Sequence, residues 1–148
     1  MALIPLLVLA FAAGAGLPFQ AGINATLADY LGSPLRASLV SFIVGTVALL
    51  AIVVIAARSW PATGKVSGAP WWVWVGGFFG VLYVATAAVA APRIGAVALL
   101  TFVLAGQTVA SVVIDHFGWV GFKEQALTPG RLVGLALLAA GVTLVRVF

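Results

Sequence analysis

Five apolar stretches, each about as long as a bilayer is thick, take up almost the whole of this sequence, and its charges fall in the gaps. The stretches cover residues 2–28, 35–57, 69–91, 94–114 and 130–146. A helix needs about 20 apolar residues to cross about 30 Å of hydrocarbon, and these segments run near that length. Hydrophobic residues make up 64% of the 148 and charged residues 7%, against roughly a quarter charged in soluble domains. No soluble core could absorb so much apolar surface. The expected fold is an all-α integral membrane protein, a single domain over 1–148 with five transmembrane helices. The opening Met1 to Gly16 has the apolar run and small residues of a signal peptide. It lacks the basic leading region, and the run continues to Leu27, so it reads as the first membrane helix.

If each stretch crosses the bilayer, its ends alternate sides. One side collects Arg36, Arg93 and Arg146; the other collects Arg58, Lys65, Lys123, Arg131 and the amino terminus. Orientation is normally set by an excess of Lys and Arg in the short cytoplasmic loops. Three against four is nearly a tie, so insertion in both directions is open. The net charge is +4, but the basic residues stand singly, without the clustered patch that nucleic-acid binding requires. No cysteine is present, which removes disulfides, thiol chemistry and cysteine-ligated metals.

Helix starts carry a capping residue followed by proline at the first helical position, where its missing N–H costs nothing. Ser33-Pro34 and Thr128-Pro129 fit best. Pro70 is expected to open the third helix, and Pro92 to separate the third from the fourth by a very short connector. Residues 59–68, rich in Gly, Pro and Ser, form the longest link. Trp60, Trp71, Trp72, Trp74 and Trp119 all lie near expected ends and read as an interfacial aromatic belt.

Polar groups at mid-helix narrow the search for a site, because in lipid they are costly and face protein or a water-filled cavity. Gln20 and Asn24 are four apart, hence on one helix face. They follow Gly14, Gly16 and Pro18, and Pro18 frees a carbonyl near Gly14, so an interrupted or kinked helix of the kind that builds transporter sites is expected. Interhelical hydrogen bonding explains the same amides without any solute. Gln107, Ser111 and Asp115 recur every fourth residue as one stripe, with Thr101 and Thr108 nearby. Counting about 1.5 Å per residue from Ile94, Gln107 sits about 20 Å in and Asp115 about 32 Å in. Asp115 with His116 is a candidate for gating or coupling, against a capping or surface-anchoring role. Asp29 and Glu124 also fall near edges.

Gly76 with Gly80, Gly130 with Gly134, and Ser38, Ser41 and Gly45 supply small residues for close helix packing. One histidine, three carboxylates far apart and no phosphate-cradling loop give no catalytic constellation, so neither an enzyme nor a cofactor nor a metal site is expected.

These residues resemble the half-size, five-helix YdcZ-like group of the drug/metabolite transporter superfamily, bacterial inner-membrane proteins. The likeness spans the chain. It rests on Gln20-Ala21-Gly22-Ile23-Asn24-Ala25, on Ser41-Phe42 with Gly45-Thr46, and on Gly106-Gln107 through Ser111 to Asp115-His116-Phe117-Gly118. Arg131 with Gly134, Leu138 and Gly141-Val142 completes it. The resemblance implies a ten-helix transporter made of two five-helix units related by inverted topology, with a pathway between them to which Gln20, Asn24, Ser41, Gln107 and Ser111 contribute. The related small multidrug transporters use a membrane-embedded glutamate for proton exchange, and no counterpart stands here.

The leading functional expectation is a dual-topology antiparallel homodimer that moves a small organic solute by alternating access. Its expected partners are a second, inverted copy, the lipid bilayer and the solute. A noncatalytic membrane scaffold, or one half of an obligate heterodimer, is the alternative.

Overall fold

The computed structural model describes residues 3–56 and 67–147, and every long element in it is a helix. Helix α1 spans Leu3–Leu31, α2 Pro34–Ala56, α3 Gly76–Ile94, α4 Ala96–Phe117 and α5 Pro129–Val147; 3-10 turns cover Trp71–Trp74 and Trp119–Gly121. Five segments are long and apolar enough to cross a membrane, the third counted from Trp71 to Ile94. The chain divides into two compact units, Met1–Arg93 and Ile94–Phe148.

Within the first unit α1 and α2 pack as a helical hairpin, and local chemistry explains the turn. Gly32 takes φ +64°, a left-handed conformation that glycine reaches without a Cβ penalty. The Ser33 N–H then bonds back to the Ala28 carbonyl at 3.1 Å, the longer of the two bonds that close a Schellman motif. Ser33 caps α2 in turn, its Oγ accepting from the Arg36 N–H at 3.5 Å. Arg36 also donates from Nη1 to the Leu31 carbonyl at 3.1 Å, placing a cation at the negative end of α1.

The buried residues of this unit are small. Ala21, Asn24 and Ala28 of α1, Ala37 and Ser38 of α2, and Val84, Ala87 and Ala88 of α3 are all buried. Large apolar side chains such as Phe11, Phe19 and Ile55 are exposed. In lipid there is no hydrophobic drive between helices, so association rests on close backbone approach and van der Waals contact, which small residues permit.

Two expectations about helix breaks need correction. Pro70 opens a 3-10 turn, and α3 itself begins at Gly76. Pro92 lies inside α3; the break falls at Gly95, with φ +80° and ψ 159°. A proline forfeits one backbone bond, which a helix can tolerate near its end, whereas the Gly95 conformation is one that a helix cannot contain. Pro18 sits inside α1, which runs without a break from Leu3 to Leu31.

In the second unit α4 packs against α5. Helix α4 stops at Gly118, φ +62°, where the glycine N–H closes on the Ile114 carbonyl. Thr128 caps α5, its Oγ1 accepting from the Arg131 N–H at 3.3 Å and its carbonyl from the Leu132 N–H at 3.1 Å. Of the tryptophans, Trp71, Trp74 and Trp119 are well exposed at helix ends, as an interfacial belt requires; Trp60, with Arg58 and Lys65, lies outside the described residues.

Candidate functional site

The hairpin of α1 and α2 carries an open groove of about 280 Å³ lined by Gln20, Ser41, Phe42, Gly45, Thr46 and Leu49. Antiparallel helices joined by a tight turn bring these positions within about two helical turns of one another. Counting about 1.5 Å per residue from the turn, Ser41 stands about 10 Å in, Gln20 about 16 Å and Thr46 about 18 Å. That is near the middle of a hydrocarbon layer about 30 Å thick.

The polar side chains of this groove make no hydrogen bond among the described residues. Helix hydroxyls usually satisfy themselves by bonding the carbonyl one turn back, as Thr26, Ser38, Thr101, Thr108 and Thr143 do. Among the described residues neither Ser41 nor the Gln20 amide has a hydrogen-bond partner. Gln20 and Ser41 are half-buried and Thr46 is exposed; in a hydrocarbon surrounding an unpaired amide or hydroxyl costs about 1–3 kcal/mol, which a molecule able to pair with it would relieve. Asn24, one turn from Gln20, is buried at 3% exposure and also lacks a side-chain partner among the described residues.

Gln107 and Ser111 belong to the second unit and are exposed on α4. Asp115 closes the same stripe with different chemistry. Its carboxylate meets Arg131 Nη2 at 3.3 Å, and that guanidinium also donates to Gln125 Oε1 at 2.6 Å and to the Gln125 carbonyl at 3.4 Å. The Gln125 N–H returns to the Asp115 carbonyl at 2.7 Å. The network ties the end of α4 to the start of α5. His116 is exposed, its ring edge-on to Phe117 at 4.8 Å, and Phe117 stacks on Trp119 at 5.1 Å.

Residues 5–144 match the family described as "Putative inner membrane exporter, YdcZ". The chain belongs to the YdcZ family. No curated protein and no solved structure matches it. The family covers all five membrane-length helices, so the YdcZ description and the helical architecture agree that this is a membrane protein of the exporter type.

The residues expected from the sequence divide by unit. Gln20 and Ser41 share the groove, with Asn24 buried beside it on α1. Gln107, Ser111, Asp115 and His116 stand on α4. Of the packing glycines, Gly80 has a close neighbour: a Cβ there would stand 3.4 Å from the Phe42 ring. At Gly76 and Gly134 a Cβ would meet nothing within 4 Å, and at Gly130 it would meet only Thr128 Oγ1 at 4.0 Å, so those backbones are open to an outside neighbour. Phe42 and Thr46 were not picked out as pathway residues. Their signal was present, since 41, 42, 45 and 46 share a helix face. Among the described residues no three His, Asp or Glu side chains gather into a metal-binding set.

Proposed function

We propose that this chain is one half of a small-molecule exporter of the bacterial inner membrane, working as an antiparallel homodimer by alternating access. The observation that carries the reading is the mid-depth groove in which Gln20 of α1 faces Ser41 and Thr46 of α2 with its hydrogen-bonding capacity unspent. A packing role alone would leave these groups paired with each other or folded back on their own helices. Five crossings put the two termini on opposite sides, so an inverted second copy supplies the complementary half. The nearly tied Lys and Arg distribution favours such mixed insertion.

In this reading Gln20, Asn24, Ser41, Gln107 and Ser111 line the pathway, and Asp115 with His116 gates it at the membrane surface. Alternating access moves one bundle against the other around a fixed site. The small-residue surfaces at Gly76, Gly130 and Gly134, open in a single chain, are where two copies could approach closely.

The test is a comparison of solutes released by cells making the wild-type chain and its variants. The wild type should enrich the medium in at least one small hydrogen-bonding solute. Gln20→Leu and Gln107→Leu should each remove that enrichment at unchanged protein level and unchanged dimer content. Export that survives Gln20→Leu would take the groove out of the pathway.

A further inference from the structure

Tyr83 carries a buried side-chain polar atom without a hydrogen-bond partner among the described residues, its phenol oxygen. It lies on the buried face of α3. Gly80, one turn earlier, opposes the Phe42 ring at Cβ contact distance, and Val84, Ala87 and Ala88, buried on the same side, continue that face. Phe42 in turn lines the groove that holds Gln20 and Ser41. Tyr83 therefore follows, along α3, the point where that helix touches the groove wall. Buried Asn24, also unpartnered, faces inward from α1 in the same unit.

We infer that Tyr83 is a solute-contacting and specificity-determining residue of the pathway, and that the solute is uncharged and carries a hydrogen-bond acceptor for the Tyr83 phenol. The inference rests on the proposed transport role and adds a residue and a chemical class to it. Segments 18–28, 37–49 and 80–91, which carry the groove residues and Tyr83, contain no Asp, Glu, Lys, Arg or His. A charged solute would lose its hydration there with no counter-charge in return, a cost far above what hydroxyls and amides restore. An uncharged solute needs only donors and acceptors. The phenol and hydroxyls can act as both, and the amides of Gln20 and Asn24 offer two donors and a carbonyl each. The aromatic body of Tyr83 adds an apolar wall.

The chain has two tyrosines, and the other, Tyr30, lies exposed near the end of α1, so Tyr30→Phe leaves Tyr83 as the sole reporter. The experiment labels tyrosine Cζ isotopically in that variant, reconstitutes the full chain in lipid nanodiscs and follows the Cζ resonance, which senses hydrogen bonding of the phenol. Acetamide, nicotinamide and glycerol serve as uncharged probes, acetate and tetramethylammonium as charged ones. A saturable shift with an uncharged probe and none with the charged ones is expected, and Gln20→Leu should weaken the apparent affinity about threefold to thirtyfold, as loss of one hydrogen bond in a membrane interior does. A resonance unmoved by every probe, or moved equally by charged ones, overturns the assignment. Tyr83→Phe separates this from the transport reading. Export unaffected by Tyr83→Phe but lost in Gln20→Leu leaves transport standing and removes Tyr83. A probe-responsive Tyr83 in a protein that moves no solute across proteoliposomes leaves the site standing and removes transport.

Discussion

Arg131 holds the Asp115 carboxylate at 3.3 Å across the turn that joins α4 to α5, with both side chains about a quarter exposed. The same guanidinium is shared with Gln125, so the pair belongs to a small network, and networks outlast isolated surface pairs. Arg131→Ala is expected to lower the thermal midpoint by about 2–4 °C, the shift that about 1 kcal/mol gives in a chain of this size. In the double variant with Asp115→Ala the losses should fall short of additive by about 0.5–1 kcal/mol. Thermal melts of the four proteins in detergent check this; full additivity would mean that the pair contributes no coupling. Asp115→Asn then tests gating. If Asp115 gates the pathway, this variant slows export by more than its small loss of stability explains.

The break between α3 and α4 is set by Gly95, and Pro92 is incidental to it. Any residue with a Cβ is strained at φ +80°, ψ 159°, by about 1–3 kcal/mol. Gly95→Ala should therefore lower the folded yield and the midpoint, even though its Cβ would meet no neighbour within 4 Å. Pro92→Ala should be neutral or stabilising, because it restores a backbone donor inside a helix. The opposite ranking would return the break to Pro92.

The contrast shows how much the sequence could disclose. Features fixed by neighbouring residues were legible: the five spans, the caps Ser33 and Thr128, and the one-face pairing of Gln20 with Asn24 all depend on a few consecutive positions. Pro92 misled because a proline near the end of a helix costs only one bond, while the decisive conformation belonged to a glycine three residues on. The Asp115–Arg131 pair was out of reach, since the two are joined only through the left-handed turn at Gly118. Tyr83 was hidden for another reason. A tyrosine in an apolar run reads as bulk, and only the packed structure shows that its oxygen faces inward unpaired. Periodicity also put Gln107 and Asn24 on the same footing, although one is exposed on α4 and the other buried against its neighbours.

Gly80 and Phe42 offer a steric handle on the groove. A Cβ at position 80 would lie 3.4 Å from the Phe42 ring, ordinary contact, so Gly80→Ala should fold and export as the wild type does. Gly80→Leu has to displace the ring, and overpacking of this kind costs about 1–3 kcal/mol. The displaced ring borders Gln20 and Ser41, so export should fall by more than the loss of stability accounts for. Assaying both variants at matched protein level distinguishes a blocked groove from a poorly folded protein. Equal export by Gly80→Leu would show that Phe42 yields away from the pathway.

The near-tie of basic residues makes orientation adjustable by single substitutions. If every helix crosses the bilayer, Arg36, Arg93 and Arg146 share the side of the carboxyl terminus, and Arg58, Lys65, Lys123 and Arg131 share the other. The side richer in Lys and Arg is retained in the cytoplasm. A carboxyl-terminal reporter in cells should thus signal from both sides of the membrane for the wild type. Arg93→Ala leaves two against four and should drive the carboxyl terminus outward. Arg58→Ala with Lys65→Ala leaves three against two and should draw it inward. Each substitution removes charge without altering a groove residue. If assembly needs both orientations, export should fall in either biased variant and return when the two are made together, since each then supplies the orientation that the other lacks. A reporter that stays on one side in all three proteins would sink dual topology and leave the heterodimer, whose partner carries the opposite bias, as the way to complete ten helices.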